Sequence, residues 1–131
     1  MATAKKVKEL LVVTPNEAGM LAEVTSAIAE SGVNIIAISA YGAGAKANFM
    51  IVTEDSQKAM SALRAKKFDV KEKEIVSVSL SNKVGAAKEM AGKLAKGGID
   101  LDYCYGSTGN GQEALFLFST KDVAKALDIL K

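Results

Sequence analysis

TPNEAGMLAEVTSAIAESGVNI, residues 14–35, decides the fold, because the chain writes it again 66 residues later as LSNKVGAAKEMAGKLAKGGIDL, residues 80–101. In that register Asn16 falls on Asn82, Gly19 on Gly85, Glu23 on Glu89, Ala29 on Ala95 and Gly32 on Gly98. Apolar positions follow: Val24 with Met90, Ile28 with Leu94, Val33 with Ile99, Ile35 with Leu101. The match runs ungapped from NFMIVT (48–53) onto ALFLFS (114–119). It then slips by one, so that Asp55, Lys58 and Ala59 meet Asp122, Lys125 and Ala126. Self-similarity at a fixed spacing marks a duplicated structural unit, here of about 65 residues, and divides the chain into repeats at 7–74 and 75–131.

Periodicity predicts the elements of one unit. KELLVV (8–13) is a short apolar run of strand length, followed by the turn-forming Pro15-Asn16. Leu21, Val24 and Ile28 recur at helical spacing, with Gly32 placed as a C-terminal stop. NIIAISAY (34–41) is β-branched; GAGA interrupts it before NFMIVT, which predicts a hairpin. A second helix begins near Asp55 with Ala59, Met60 and Leu63 on its apolar side, and FDVKEKE (68–74) alternates as a strand. The order β-α-β-β-α-β is that of a ferredoxin-like, split-βαβ arrangement, so the fold class is α+β: two such repeats with antiparallel sheets and helices on one face. In the second repeat Leu130-Lys131 corresponds to Leu63-Arg64, so no counterpart of the last strand follows and a sheet edge is expected to need cover. A homodimer partner or a long strand shared through residues 68–80 would supply it.

Composition removes several function classes. The 131 residues are 49% hydrophobic and 24% charged, a balance expected of a globular chain rather than a disordered one. No apolar run is long enough to cross a bilayer and the opening MATAKKVKE has no apolar signal core, so a cytoplasmic, non-membrane protein is expected. A single cysteine, Cys104, excludes an internal disulfide. Histidine is absent, which removes the commonest general base and metal ligand; no metal site, cofactor or catalytic residue is expected. The net charge of +2 rests on sixteen lysines and Arg64, with aromatics at 5%, which argues against nucleic acid as a partner.

The richest candidate site is the first strand-to-helix turn, PNEAGML (15–21), echoed by SNKVGAA (81–87). A helix N-terminus offers unsatisfied N–H groups to a carboxylate, and Gly19 and Gly85 let backbone come close to it. The plainer alternative is that Asn16 and Asn82 cap helices and the glycines serve packing. Asn34 or Asp100, opening the next strand, could take an ammonium. YGAGAK (41–46) and GSTGNGQ (106–112) lack P-loop spacing and read as hairpin turns. Cys104, in LDYCYG (101–106), reads as a buried structural cysteine, Tyr103 and Tyr105 as packing residues, and Lys83, Lys88, Lys93 and Lys96 as one solvated helix face.

These residues resemble the ACT domain, a small regulatory unit attached to many amino-acid-metabolism enzymes, and the whole chain is similar to a free-standing tandem ACT protein. The resemblance covers residues 7–131 and occurs in both repeats. It implies binding of a free amino acid at the interface of two paired units. The β1–α1 loop would contribute Thr14, Asn16, Glu17, Ala18, Gly19, Met20 and Leu21, and a polar residue from the neighbouring unit's next strand, Asn34, would complete the site. In the second repeat the implied residues are Leu80, Asn82, Gly85, Ala86, Ala87 and Asp100. Two positions depart from the family pattern: Ala18 and Val84 stand where a proline usually precedes the loop glycine, and Leu80 stands where a polar residue is common. The second loop is therefore expected to bind weakly or not at all.

The expectation is a non-catalytic regulatory module, a homodimer, that binds a free amino acid. A structural or trans-acting subunit that assembles with an amino-acid-metabolism enzyme without a ligand is the alternative. RNA binding is disfavoured because NFMIVT and ALFLFS lack the Lys/Arg-Gly-aromatic pattern of RNA-recognition strands.

Overall fold

The computed structural model describes residues 2–131. Its elements are β1 (Thr3–Pro15), α1 (Met20–Glu30), β2 (Ile35–Ala43), β3 (Lys46–Thr53), α2 (Ser56–Ala65), β4 (Asp69–Ser81), α3 (Ala86–Lys96), β5 (Tyr103–Ser107), β6 (Glu113–Ser119) and α4 (Val123–Ile129). They form two compact units, Lys8–Lys73 and residues 2–7 together with Glu74–Lys131. Among the described residues no helix is long and apolar enough to cross a membrane.

In the first unit the strands lie in the order β2-β3-β1-β4. The pleat puts Leu10 opposite Ile51 and Val12 opposite Phe49 on one face, and that face carries both helices. Val24, Ala27 and Ile28 of α1 and Ala59, Met60 and Leu63 of α2 close one core over Leu10, Val12, Phe49, Ile51 and Val70. Helical spacing alone delivers these residues, since i, i+3 and i+4 share a stripe. Leu10, Val24, Ile28, Ile51 and Leu63 are wholly excluded from solvent, which makes them the largest source of stability here.

The second unit repeats the plan with residues 3–7 of β1, then β4, β6 and β5. Val76, Val78 and Leu80 of β4, Phe118 of β6, Met90 and Leu94 of α3 and Ala126 of α4 form its core. The last strand that the repeat lacks after Leu130 is supplied from the other end of the chain. β1 is 13 residues long, well beyond the six apolar residues that predict it. β4 likewise runs 13 residues without a break, because no glycine or proline interrupts 69–81. Two ion pairs align β1 with β4 in opposite directions, Lys8–Glu72 at 4.0 Å in the first unit and Lys6–Glu74 at 3.4 Å in the second. Lys6, Lys8 and Glu74 keep about half of their side chains in solvent and Glu72 20%, so the pairs guide register more than they add stability.

Candidate functional site

The loop between β1 and α1 is built the same way in both repeats. The chain leaves β1 at Pro15, and the backbone N–H of Asn16 donates to Ala45 O at 2.9 Å while its side-chain Nδ2 donates to Gly44 O at 3.1 Å. In the second repeat Asn82 N donates to Gln112 O at 2.8 Å, and Nδ2 to Gly111 O at 3.0 Å. Each asparagine therefore ties its loop to the neighbouring hairpin turn. Neither caps a helix, contrary to the plainer sequence reading. The cap positions are Gly19 and Gly85, at φ 92° and 90°, with no side-chain cap bond. Only glycine adopts that left-handed backbone at little cost, and it turns the chain sharply enough for α1 to start at Met20. Side chains therefore leave the first-turn N–H groups of α1 to other acceptors.

The other predicted residues separate into lining and support. Thr14 is buried, facing the helices opposite Ala47, with its hydroxyl donating to Pro15 O at 2.9 Å. Glu17 and Ala18 are exposed on the loop, Met20 packs half-buried against the first core, and Leu21 is 57% exposed. Ala86 and Leu80 are buried in the second core. Asn34 does not join the loop of its own repeat. It sits beyond the far end of α1, which at 11 residues is about 16 Å long, and its Nδ2 lies 3.5 Å from Glu54 Oε1. Asp100 is equally distant from Asn82 across α3; its backbone carbonyl accepts from Thr120 Oγ1 at 2.8 Å.

β2 is an edge strand of the first unit. Ile36, Ile38 and Tyr41 on it are 49%, 39% and 55% exposed, and Leu21 of α1 adds to the exposed apolar surface of this unit. Their counterparts in the second repeat are Asp102, Cys104, Ser107 and Ala87, so this character belongs to the first repeat alone. Sequence reasoning missed it, although those four substitutions at the repeat spacing are the signal that could have found it.

Residues 8–66 match the family model of the ACT domain. That match spans the first repeat, 59 of the 131 residues. No curated protein matches the chain. The crystal structure of protein BT0572 from Bacteroides thetaiotaomicron is similar over 97% of this chain and 88% of that one, at 26% identity and a TM-score of 0.89. The ligand-free regulatory subunit of aspartate kinase from Thermus thermophilus is similar in fold over 98% and 93% of the two chains, at 18% identity and a TM-score of 0.68. The corresponding subunit from Thermus flavus is 17% identical over 98% and 94%, with a TM-score of 0.66.

The glycine-rich segments are hairpin turns: Gly44 and Gly109, at φ 63° and 58°, sit between β2 and β3 and between β5 and β6. Cys104 corrects the sequence reading, for it is exposed. On the edge strand β5 it alternates with the half-buried Tyr103 and Tyr105, whose rings stack at 6.5 Å, and so points the other way.

Proposed function

We propose that this ACT protein is a non-catalytic, cytoplasmic regulatory module that binds a free amino acid at the β1–α1 loop of its first repeat, in a homodimer paired along β2. The observation that carries the reading is the position of the loop relative to the ends of β2. Asn16 is bonded to Gly44 and Ala45, immediately beyond the C-terminal end of β2, whereas Asn34 immediately precedes its N-terminal end. A two-fold pair uses the same surface on both copies, so two β2 edges meet antiparallel. The Asn34 end of one copy then comes to the Asn16 loop of the other, and the two halves that a single repeat holds apart converge. Ile36, Ile38 and Tyr41 lie along the edge such a pair would cover.

The chemistry of the proposed site follows from its groups. The ligand carboxylate takes the N–H groups of Met20 and Leu21, where the helix dipole favours negative charge. Its ammonium takes Asn16 Oδ1, since Asn16 Nδ2 is already committed to Gly44, and the Asn34 Oδ1 brought by the second copy. Binding between copies shifts the pairing equilibrium by the ligand's preference for the paired state.

A second reading takes the exposed apolar edge as a docking surface for an amino-acid-metabolism enzyme, with no ligand. The Thermus structures, which are regulatory subunits of aspartate kinase, lend it support. A thermal-shift screen against the standard amino acids separates the two. A ligand at 100 times its dissociation constant adds about 2.7 kcal/mol, and the sensor reading expects such a rise for one amino acid or one chemical group of them. A flat screen at millimolar concentration refutes it.

A further inference from the structure

Asn110 is the one asparagine of the chain that precedes a glycine; Asn16, Asn34, Asn48 and Asn82 precede Glu17, Ile35, Phe49 and Lys83. It lies in the exposed segment 108–112 that joins β5 to β6. The first repeat closes the corresponding hairpin with Gly44-Ala45 alone, between Ala43 and Lys46. A longer exposed loop is freer in its backbone, and Gly111 adds the freedom of a residue without a Cβ. The space around it is open, the one atom near a built Cβ being Glu113 N at 3.9 Å. Among the described residues the Asn110 side-chain amide and the Gly111 N–H take no hydrogen-bond partner, so both are left to solvent and to each other. Asn16 and Asn82 differ in this respect, since their Nδ2 atoms donate to hairpin carbonyls at 3.1 and 3.0 Å.

A backbone nitrogen that follows an asparagine can attack that side chain's carbonyl, and a glycine nitrogen is the least hindered. Base removes the Gly111 N–H proton, the nitrogen bonds to Asn110 Cγ, and Nδ2 leaves as ammonia, which closes a succinimide ring. Water then opens the ring at one of its two carbonyls. Breaking the new N–Cγ bond gives aspartate. Breaking the original bond, from Gly111 N to the backbone carbonyl carbon of Asn110, gives isoaspartate, whose main chain runs through Cγ and gains a methylene. One water is consumed and one ammonia released, with no change of oxidation state.

We propose that Asn110 is a site of spontaneous deamidation, and that its isoaspartate form frees the β4–α3 loop from this hairpin. Asn82 is the link. Its Nδ2 donates to Gly111 O at 3.0 Å and its backbone N–H to Gln112 O at 2.8 Å, the two carbonyls that directly follow the inserted methylene. A longer main chain at 110 displaces both acceptors from Asn82. The first repeat has Ala43 before the Gly44 that Asn16 binds, so its own loop carries no such site. The chemistry lies wholly within the second unit and does not depend on the amino-acid reading above.

The test is incubation of the full chain in mildly alkaline and mildly acidic buffer, followed by digestion and mass spectrometry with electron-transfer fragmentation, which tells isoaspartate from aspartate. The expected result is conversion at Asn110 ahead of the other four asparagines, faster in the alkaline buffer. Gly111→Ala, whose added methyl has room, is expected to keep Asn110 intact over the interval that converts the native chain. In 15N NMR spectra of the converted protein the backbone and side-chain amides of Asn82 are expected to move while those of Asn16 stay. Asn110→Asp, which brings the charge without the methylene, is expected to leave the Asn82 signals in place. An intact Asn110, conversion no faster than at the other asparagines, or undiminished conversion in Gly111→Ala would each overturn the proposal. So would Asn82 signals that stay put in the isoaspartate form, or that move as far in Asn110→Asp.

Discussion

Gly42→Ala isolates the contact that holds the candidate loop in place. A Cβ built at Gly42 meets Asn16 Nδ2 at 2.7 Å and Asn16 Cγ and Oδ1 at 3.1 Å, and nothing else nearer. The obstacle is the end of a side chain, not backbone, so the Asn16 amide swings away and surrenders its 3.1 Å bond to Gly44 O. An exposed bond of this kind contributes about 0.5–1 kcal/mol. Replacing a strand glycine by alanine returns about 0.5–1 kcal/mol, because Gly42 is not among the positive-φ residues. The two effects nearly cancel. With about 2.1 cal/mol/K of unfolding entropy per residue, 131 residues give about 0.28 kcal/mol/K, so the melting temperature is expected to stay within about 4 °C. Amino-acid binding at the proposed site, which is routed through Asn16 Oδ1, is expected to fall roughly tenfold, an interaction of about 1.4 kcal/mol. Calorimetric melts of Gly42→Ala, Asn16→Ala and the double variant supply the coupling: in the double variant the alanine fits freely, so the single effects must not add. Additive effects, or a loss above 2 kcal/mol in Gly42→Ala alone, would show that backbone rather than Asn16 fills that space.

Two further predictions concern backbone and core. Gly92 lies inside α3 with open space where a Cβ would go, so Gly92→Ala is expected to stabilise by about 0.5–1 kcal/mol. Gly85→Ala has the same open space but φ 90°, and is expected to destabilise by about 1–2 kcal/mol; thermal melts of opposite sign confirm that conformation, not room, decides. Phe118 is wholly buried in the second core, and Phe118→Ala is expected to cost about 3–5 kcal/mol. Amide hydrogen exchange should show lost protection in β4, β6 and residues 3–7 of β1, since those segments share one unit.

Much of the fold was legible because the chain states it twice. Leu21, Val24 and Ile28 at helical spacing placed α1, and the alternation of 68–74 placed the start of β4. Gly44 and Gly109 occupy the hairpin turns their segments predicted. The role of residues 3–7 was not legible. A five-residue strand whose core-facing members include Ala4 has almost no apolar signal, and its partner lies some 70 positions away in sequence. At the loop, the capping reading of Asn16 named the wrong bond, because an asparagine before a helix caps it more often than it reaches across to a hairpin. Cys104 was misread for a similar reason: an apolar-aromatic neighbourhood in sequence does not say which side of an edge strand a residue faces.

Mixing two defective chains tests the central claim most directly, since the proposed site takes Asn16 from one copy and Asn34 from the other. Asn16→Ala and Asn34→Ala are each expected to abolish stabilisation by the amino acid found in the screen. Unfolding and refolding the two together yields hybrid dimers, each with one intact site, so about a quarter of the sites are restored in a random mixture. Calorimetric titration of that mixture should recover binding at wild-type affinity with about a quarter of the wild-type stoichiometry. No recovery, with each chain folded and dimeric, would contradict a site shared between copies.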